Sequence, residues 1–171
     1  MEINKAFITI GLATALLQMP VAADAQHAGS ACCDHGNKTC RQNPLLQKST
    51  LPFGAPDFAR IKETDYLPAI EAAVKEQREN IQKIVDNKAK PTFANTILAY
   101  ENSGVLLENV SNVFFGLCSA HKTPVIADTE KKVTPLLTDL DNEISFNQKL
   151  FERIKYVYDH EYKSLTGEDQ R

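Results

Sequence analysis

Apolar residues return along this chain at three- and four-residue steps, and no credible stretch alternates at the two-residue step of a half-buried strand. Leu67, Ile70, Val74, Gln77, Ile81 and Ile84 form the first stripe, which only the glutamine interrupts. Asp65 stands before it as an N-cap, and Pro68 falls in the opening turn, where a missing N–H matters little. Asn87-Lys88-Ala89-Lys90-Pro91 turns the chain, and Thr92 caps a second helix predicted from Phe93 to about Ala120. Phe93, Ile97, Tyr100, Gly104, Leu107, Val110 or Ser111, Phe114 and Leu117 lie on one side of that helix. Gly104 costs about 1 kcal/mol relative to alanine there, which a close helix crossing would offset.

Thr123-Pro124 opens a third helix, cap then proline. Pro135 lies inside it and removes a backbone bond at about 3 kcal/mol if the helix stays straight, so a kink or break is predicted just before it. Asn147 caps a fourth helix in which Leu150, Phe151, Ile154, Val157 and Tyr158 carry the spacing. The fold class that follows is all-α. Thr166-Gly167-Glu168-Asp169 reads as one more helix start. The sequence given stops at Arg171, whereas an isolated helix needs on the order of 12 residues to be even marginal. A C-terminal truncation is therefore expected.

Upstream of the stripes the pattern changes. Lys5, the apolar run Ala6 to Leu17 and the small residues Ala23-Asp24-Ala25 make residues 1–25 read as a cleaved secretory signal, the run being shorter than the roughly 20 residues that span a bilayer. The expected location is periplasmic or extracellular, with no membrane contact after cleavage. Lipidation at Cys32 is the weaker option, because Gly29-Ser30-Ala31 lacks the large aliphatic residue expected three places earlier. Residues 26–42 form a polar linker holding His27, Cys32, Cys33, His35 and Cys40. In an oxidising compartment these cysteines form a disulfide or, less in keeping with their spacing, a small metal site. Leu45, Leu46, Leu51, Phe53 and Phe58 follow in a stretch punctuated by Pro44, Pro52, Gly54 and Pro56, an irregular arm apolar enough to pack on something.

Of the 171 residues, 43% are apolar and 24% charged, with a formal net charge of −3, so the chain has no basic footprint for nucleic acid. A zinc hydrolase needs two histidines one helical turn apart, as in H-E-x-x-H. The four histidines, at 27, 35, 121 and 160, never stand at that spacing. His160-Glu161-Tyr162-Lys163-Ser164 comes nearest, with serine in the place of the second ligand, and His160 is read as a surface histidine near a helix end. Cys118 with His121 is the one close nucleophile-and-base pair, but no orienting carboxylate or oxyanion hole is evident beside it. Cys118 is instead read as a small core residue. Asp139, Asp141 and the run Glu76 to Glu79 read as solvated faces. No catalytic residue and no catalytic metal ligand is assigned to the chain.

Several ordered segments carry a resemblance: Asn43-Pro44-Leu45-Leu46 with Ser49-Thr50-Leu51-Pro52-Phe53, then Phe58-Ala59-Arg60-Ile61-Lys62 leading to Asp65-Tyr66-Leu67-Pro68-Ala69. Pro91-Thr92-Phe93-Ala94-Asn95-Thr96-Ile97, Val113-Phe114-Phe115 with Ser119-Ala120-His121, Val133-Thr134-Pro135-Leu136 and Leu150-Phe151-Glu152-Arg153-Ile154 continue it. Residues 43–171 thus resemble the N-terminal part of the peptidyl-dipeptidase and oligopeptidase A branch of the thimet-oligopeptidase-like zinc metallopeptidases. The resemblance implies a large, mostly helical, two-lobed enzyme around a deep channel, with Zn2+ held by an H-E-x-x-H helix that lies well beyond the part matched here. It implies oligopeptides as substrates of such a parent, and release of C-terminal dipeptides. Residues 43–171 would then supply channel wall and lid, and the chain alone is expected to be inactive. Ala94 departs from the family pattern, which has glutamate there, so a capping interaction is expected to be lost. The competing expectation is an intact small exported helical protein that binds a partner or metal through its Cys-rich arm.

Overall fold

The computed structural model describes residues 41–170, and over that span it contains helices and turns but no strand. The signal-like segment and the cluster of His27, Cys32, Cys33, His35 and Cys40 lie outside the described residues.

Helix α1 (Tyr66–Asp86) buries the predicted stripe. Ile70, Val74, Ile81 and Ile84 are all buried, together with Tyr66, Ala69 and Ala73 from the adjoining positions. Three partners cover it. The second helical run ends in α3 (Val105–Ala120), which contributes Leu107, Val110 and Phe114. Helix α4 (Pro124–Ser145) contributes Ile126, Val133 and Leu140. These three helices enclose one core, in which the Tyr66 and Phe114 rings meet at 5.4 Å. Helix α5 (Gln148–Glu161) closes a second, smaller cluster where Leu150 meets Ile81 and Ile84 at the far end of α1. Burying one such large side chain contributes about 1.5–3 kcal/mol.

The caps at three helix starts are as expected. Thr92, Thr123 and Asn147 accept from the backbone N–H groups of Asn95, Ile126 and Leu150. The start of α1 differs. Asp65 is itself in helical conformation at the end of a 3-10 turn (Glu63–Asp65), and its carboxylate accepts from Lys62 N–H at 2.7 Å and from the Arg41 guanidinium at 2.8 and 3.0 Å. It ties the arm to the helix rather than capping it. The cap expected to be missing at Ala94 is present in another form: Asn95 accepts from Thr92 N–H at 2.9 Å and completes a reciprocal box.

The second run is not one uniform helix. It opens as a π-helical turn (Phe93–Leu98), passes through α2 (Ala99–Glu101) and a 3-10 turn (Asn102–Gly104), and only then becomes α3. Gly104 sits at φ −110°, ψ 10°, and a Cβ there would lie 2.7 Å from the Gln77 amide of α1. That is the close crossing the glycine called for, and it explains why glutamine interrupts the α1 stripe at this level. Asn80 of α1 donates to the Ser103 carbonyl at 3.1 Å, satisfying a group the irregular turn sets free.

The break offered as one outcome at Pro135 is absent, and the arm packs less than expected. Helix α4 runs unbroken through Pro135. Pro135 and Lys131 are both exposed, so the missing backbone bond falls on the solvent side of α4, where its cost is limited. In the arm only Leu45 and Leu46 pack on the core, whereas Leu51, Phe53 and Phe58 stand in solvent. Phe53 does so from a left-handed backbone, at φ 59°.

Two outcomes test this packing. Gly104→Leu should lower unfolding free energy by about 1–3 kcal/mol, an overpacking effect. Gly104→Ala, whose added carbon meets only the movable end of Gln77, should stay within about 1 kcal/mol of wild type in urea unfolding. For Asp65, burial pushes the carboxyl up, but the Arg41 guanidinium, Lys62 N–H and the nearby positive charges outweigh it and hold the group below its usual range. A depressed acid stabilises the fold above its unfolded-state value and loses that contribution as pH falls through the lowered one. Asp65→Asn should therefore be less stable than wild type at neutral pH, and the two should converge as the pH drops below about 4.

Candidate functional site

The most constrained polar cluster lies where α5 meets the connection between α1 and the second helical run. Arg153 is 9% exposed on the inner side of α5. Its guanidinium donates to the carbonyls of Asn87 at 2.8 Å and Ala89 at 3.4 Å, and to Asn95 Oδ1 at 3.1 Å. Thr96 Oγ1 lies at 3.5 Å. Asn95 Oδ1 also takes the Thr92 N–H and the Thr96 hydroxyl, while its amide donates to the Lys90 carbonyl. Two helical turns further along α5, Glu161 accepts from Phe93 N–H at 2.8 Å, placing a carboxylate against the N-terminus of the second run. The guanidinium meets carbonyl and amide oxygens here rather than a carboxylate, so the cluster positions a loop.

A cleft of about 320 Å³ opens beside the Gly104 crossing. Gln77, Tyr100, Glu101, Glu108 and Ser111 give it a polar lining, with Leu107 and Leu137 below. The Ser111 hydroxyl is buried without a hydrogen-bond partner, and no histidine lines the cleft. The arrangement offers acceptors and a carboxylate rim, and lacks the paired base that would make serine a nucleophile.

The residues weighed for chemistry do not converge. His160 is exposed near the end of α5, stacked on Tyr156 at 4.0 Å with Nδ1 2.9 Å from the Tyr156 carbonyl. Cys118 packs half-buried against the main core, while His121 is exposed at the C-terminus of α3. Burial pushes the Cys118 thiol up, the Glu130 charge adds to that, and Lys122 opposes it. A thiol so placed stays protonated and unreactive at neutral pH. Asp139 and Asp141 are exposed, as expected. The run Glu76 to Glu79 is more than a solvated face: Gln77 meets Gly104, and Arg78 forms a two-point pair with Glu143 of α4 at 2.6 and 2.9 Å. Among the described residues no group of three or more His, Cys, Asp or Glu side chains is placed to share a metal ion, and no helix is long and apolar enough to cross a membrane.

Sequence reasoning missed Arg153. Its signal was present, since Leu150, Arg153 and Val157 share the same helical phase, but an arginine between Glu152 and Lys155 reads as surface.

The described residues form an all-helical unit with ordered caps, and the proteins it is similar to are peptidases by name. No protein-family profile matches the chain. It is 40% identical over 128 residues to a dipeptidyl carboxypeptidase of Salmonella typhimurium, taking in 75% of this chain and 19% of that protein. The Escherichia coli dipeptidyl carboxypeptidase is 39% identical over 116 residues, 68% of this chain and 17% of the relative. Oligopeptidase A of Escherichia coli is 22% identical over 129 residues, covering 75% and 18% respectively. The class is therefore that of a helical segment from a peptidase family. The chain belongs to the dipeptidyl carboxypeptidase and oligopeptidase A family, and spans about a fifth of the length of the curated relatives it matches.

Arg153→Ala should lower stability by about 1.5–3 kcal/mol, the usual worth of hydrogen bonds from a charged group. Amide exchange should quicken over residues 87–96 more than in α3. Arg153→Lys should recover little of this, since a point ammonium cannot reach the same oxygens as the planar fork.

Proposed function

We propose that this chain is the wall-and-lid segment of an exported, zinc-dependent peptidyl-dipeptidase, an enzyme that removes dipeptides from the C-termini of oligopeptides. The observation that carries the reading is a 40% identical match confined to 19% of a dipeptidyl carboxypeptidase, made by a sequence in which no two histidines stand at the H-E-x-x-H spacing. In this reading Zn2+ and its ligands belong to another part of the parent polypeptide, and residues 43–170 shape one side of the channel that admits short peptides. Export rests on the signal-like residues 1–25 and points to a periplasmic or extracellular enzyme.

The helical unit supports that division of labour through its rigidity. Helix α1 is held on three sides, Arg78 and Glu143 clamp it to α4, and Arg153 fixes the loop at its C-terminal end. Such a unit restricts access by shape while contributing no proton transfer or nucleophile of its own.

A chimera tests the proposal. Residues 43–170 of this chain replace the matched stretch of the Salmonella relative, and release of dipeptides from an oligopeptide is followed. The chimera should fold and retain zinc-dependent dipeptide release. A soluble, folded chimera without that activity would remove the reading.

A further inference from the structure

Four exposed aromatic side chains lie on and beside α5: Phe151 and Tyr158 on the helix, Phe146 at the end of α4 and Tyr162 in the turn that follows. Phe146 is 84% exposed, Phe151 57%, Tyr158 64% and Tyr162 39%. They fall in two pairs aligned along one side. Phe146 and Phe151 line one small cleft at the α4–α5 corner. Phe151 and Tyr158 lie seven residues apart on the same side of α5, and the Tyr158 and Tyr162 rings stack at 5.1 Å. Exposed Val105, Phe115 and Val125 elsewhere on the surface form no such row, and single exposed apolar residues are ordinary. Four aromatics aligned along one side are different, because soluble proteins keep larger apolar patches for contact.

We infer that this row is the surface on which the remainder of the family polypeptide docks, through an apolar surface rather than a charged one. This rests on the reading of the chain as a segment of a peptidyl-dipeptidase. Two observations select that occupant. The relatives are about five times as long as the stretch they share with this chain, so most of a family member must pack beside a unit of this kind. The polar groups set among the aromatics are already paired at home: Lys155 with Asp159 at 2.5 Å, and Gln148 with Glu152 at 3.1 Å. A partner bringing charges would find few unpaired ones here, whereas one bringing aliphatic side chains would bury four rings. Another side of α5 is already occupied by Leu150, Arg153 and Val157, so in the parent the helix would be covered on more than one side.

Thiol labelling decides it. With the four native cysteines replaced, Tyr158→Cys and, separately, Phe151→Cys are placed in the 171-residue chain and in the Salmonella chimera; Lys75→Cys, at a site 78% exposed, is the control. Both aromatic-row positions should react at least about tenfold more slowly in the chimera than in the chain, since a covered thiol reacts only through local opening. Lys75→Cys should react alike in both. Equal rates at positions 151 and 158 in an active chimera would overturn the docking surface and leave the peptidase reading standing. Equal slowing at position 75 would mean general occlusion and would overturn the choice of face. Slow labelling already in the isolated chain, with the sedimentation mass of a dimer, would assign the row to a second copy and overturn the inference. An inactive chimera removes the peptidase reading, and this inference with it.

Discussion

The apolar stripe of α1 cannot be hidden by one neighbour, and the rest of the described fold answers that constraint. Its N-terminal half, from Tyr66 to Val74, is enclosed by α3 and α4, while Ile81 and Ile84 need a separate cover from Leu150 of α5. The turns that join these helices are accordingly the places where polar groups are most tightly arranged. Asp65 and Arg41 secure the entry to α1, Asn80 reaches the broken turn at Ser103, and Arg153 gathers the carbonyls at its exit. Apolar burial supplies the stabilisation, and these contacts select one packing.

Polar satisfaction also sets what the unit is able to do. A buried guanidinium bound to backbone carbonyls and an asparagine is committed to holding a loop, and a thiol raised by burial is not poised for attack. The cleft beside the Gly104 crossing is lined by the Glu101 and Glu108 carboxylates and by no histidine. Chemistry of the peptidase kind requires a polarising ion or an activated nucleophile, whereas His160 stacks on Tyr156 and Cys118 packs against the core.

Helix positions were legible wherever local chemistry and long-range packing agreed. The α1 stripe, the caps at Thr92, Thr123 and Asn147, and the close approach at Gly104 follow from spacing and from backbone requirements that hold in any context. Pro135 misled because the expected break depends on whether the orphaned carbonyl faces core or water, which spacing along one helix does not state. On α5 the apolar residues straddle two sides, and Arg153 took the inner position that Phe151 and Tyr158 were expected to share. At the second run, Asn95 supplies the side-chain acceptor that the reciprocal bond needs at the third helical position, so Ala94 at the second position removes no cap. The family was legible from the order of short segments, whereas nothing in the periodicity pointed to a peptidase.

The chain shares 40% identity with a dipeptidyl carboxypeptidase over 19% of that protein, and the proposed division of labour places the reactive groups in the rest of such a polypeptide. The most direct measurement is a peptide-hydrolysis assay on the purified 171-residue chain with added Zn2+, with products resolved by mass. The account predicts no dipeptide release above the rate with the metal alone. Release that appears with zinc and vanishes with a chelator would contradict it.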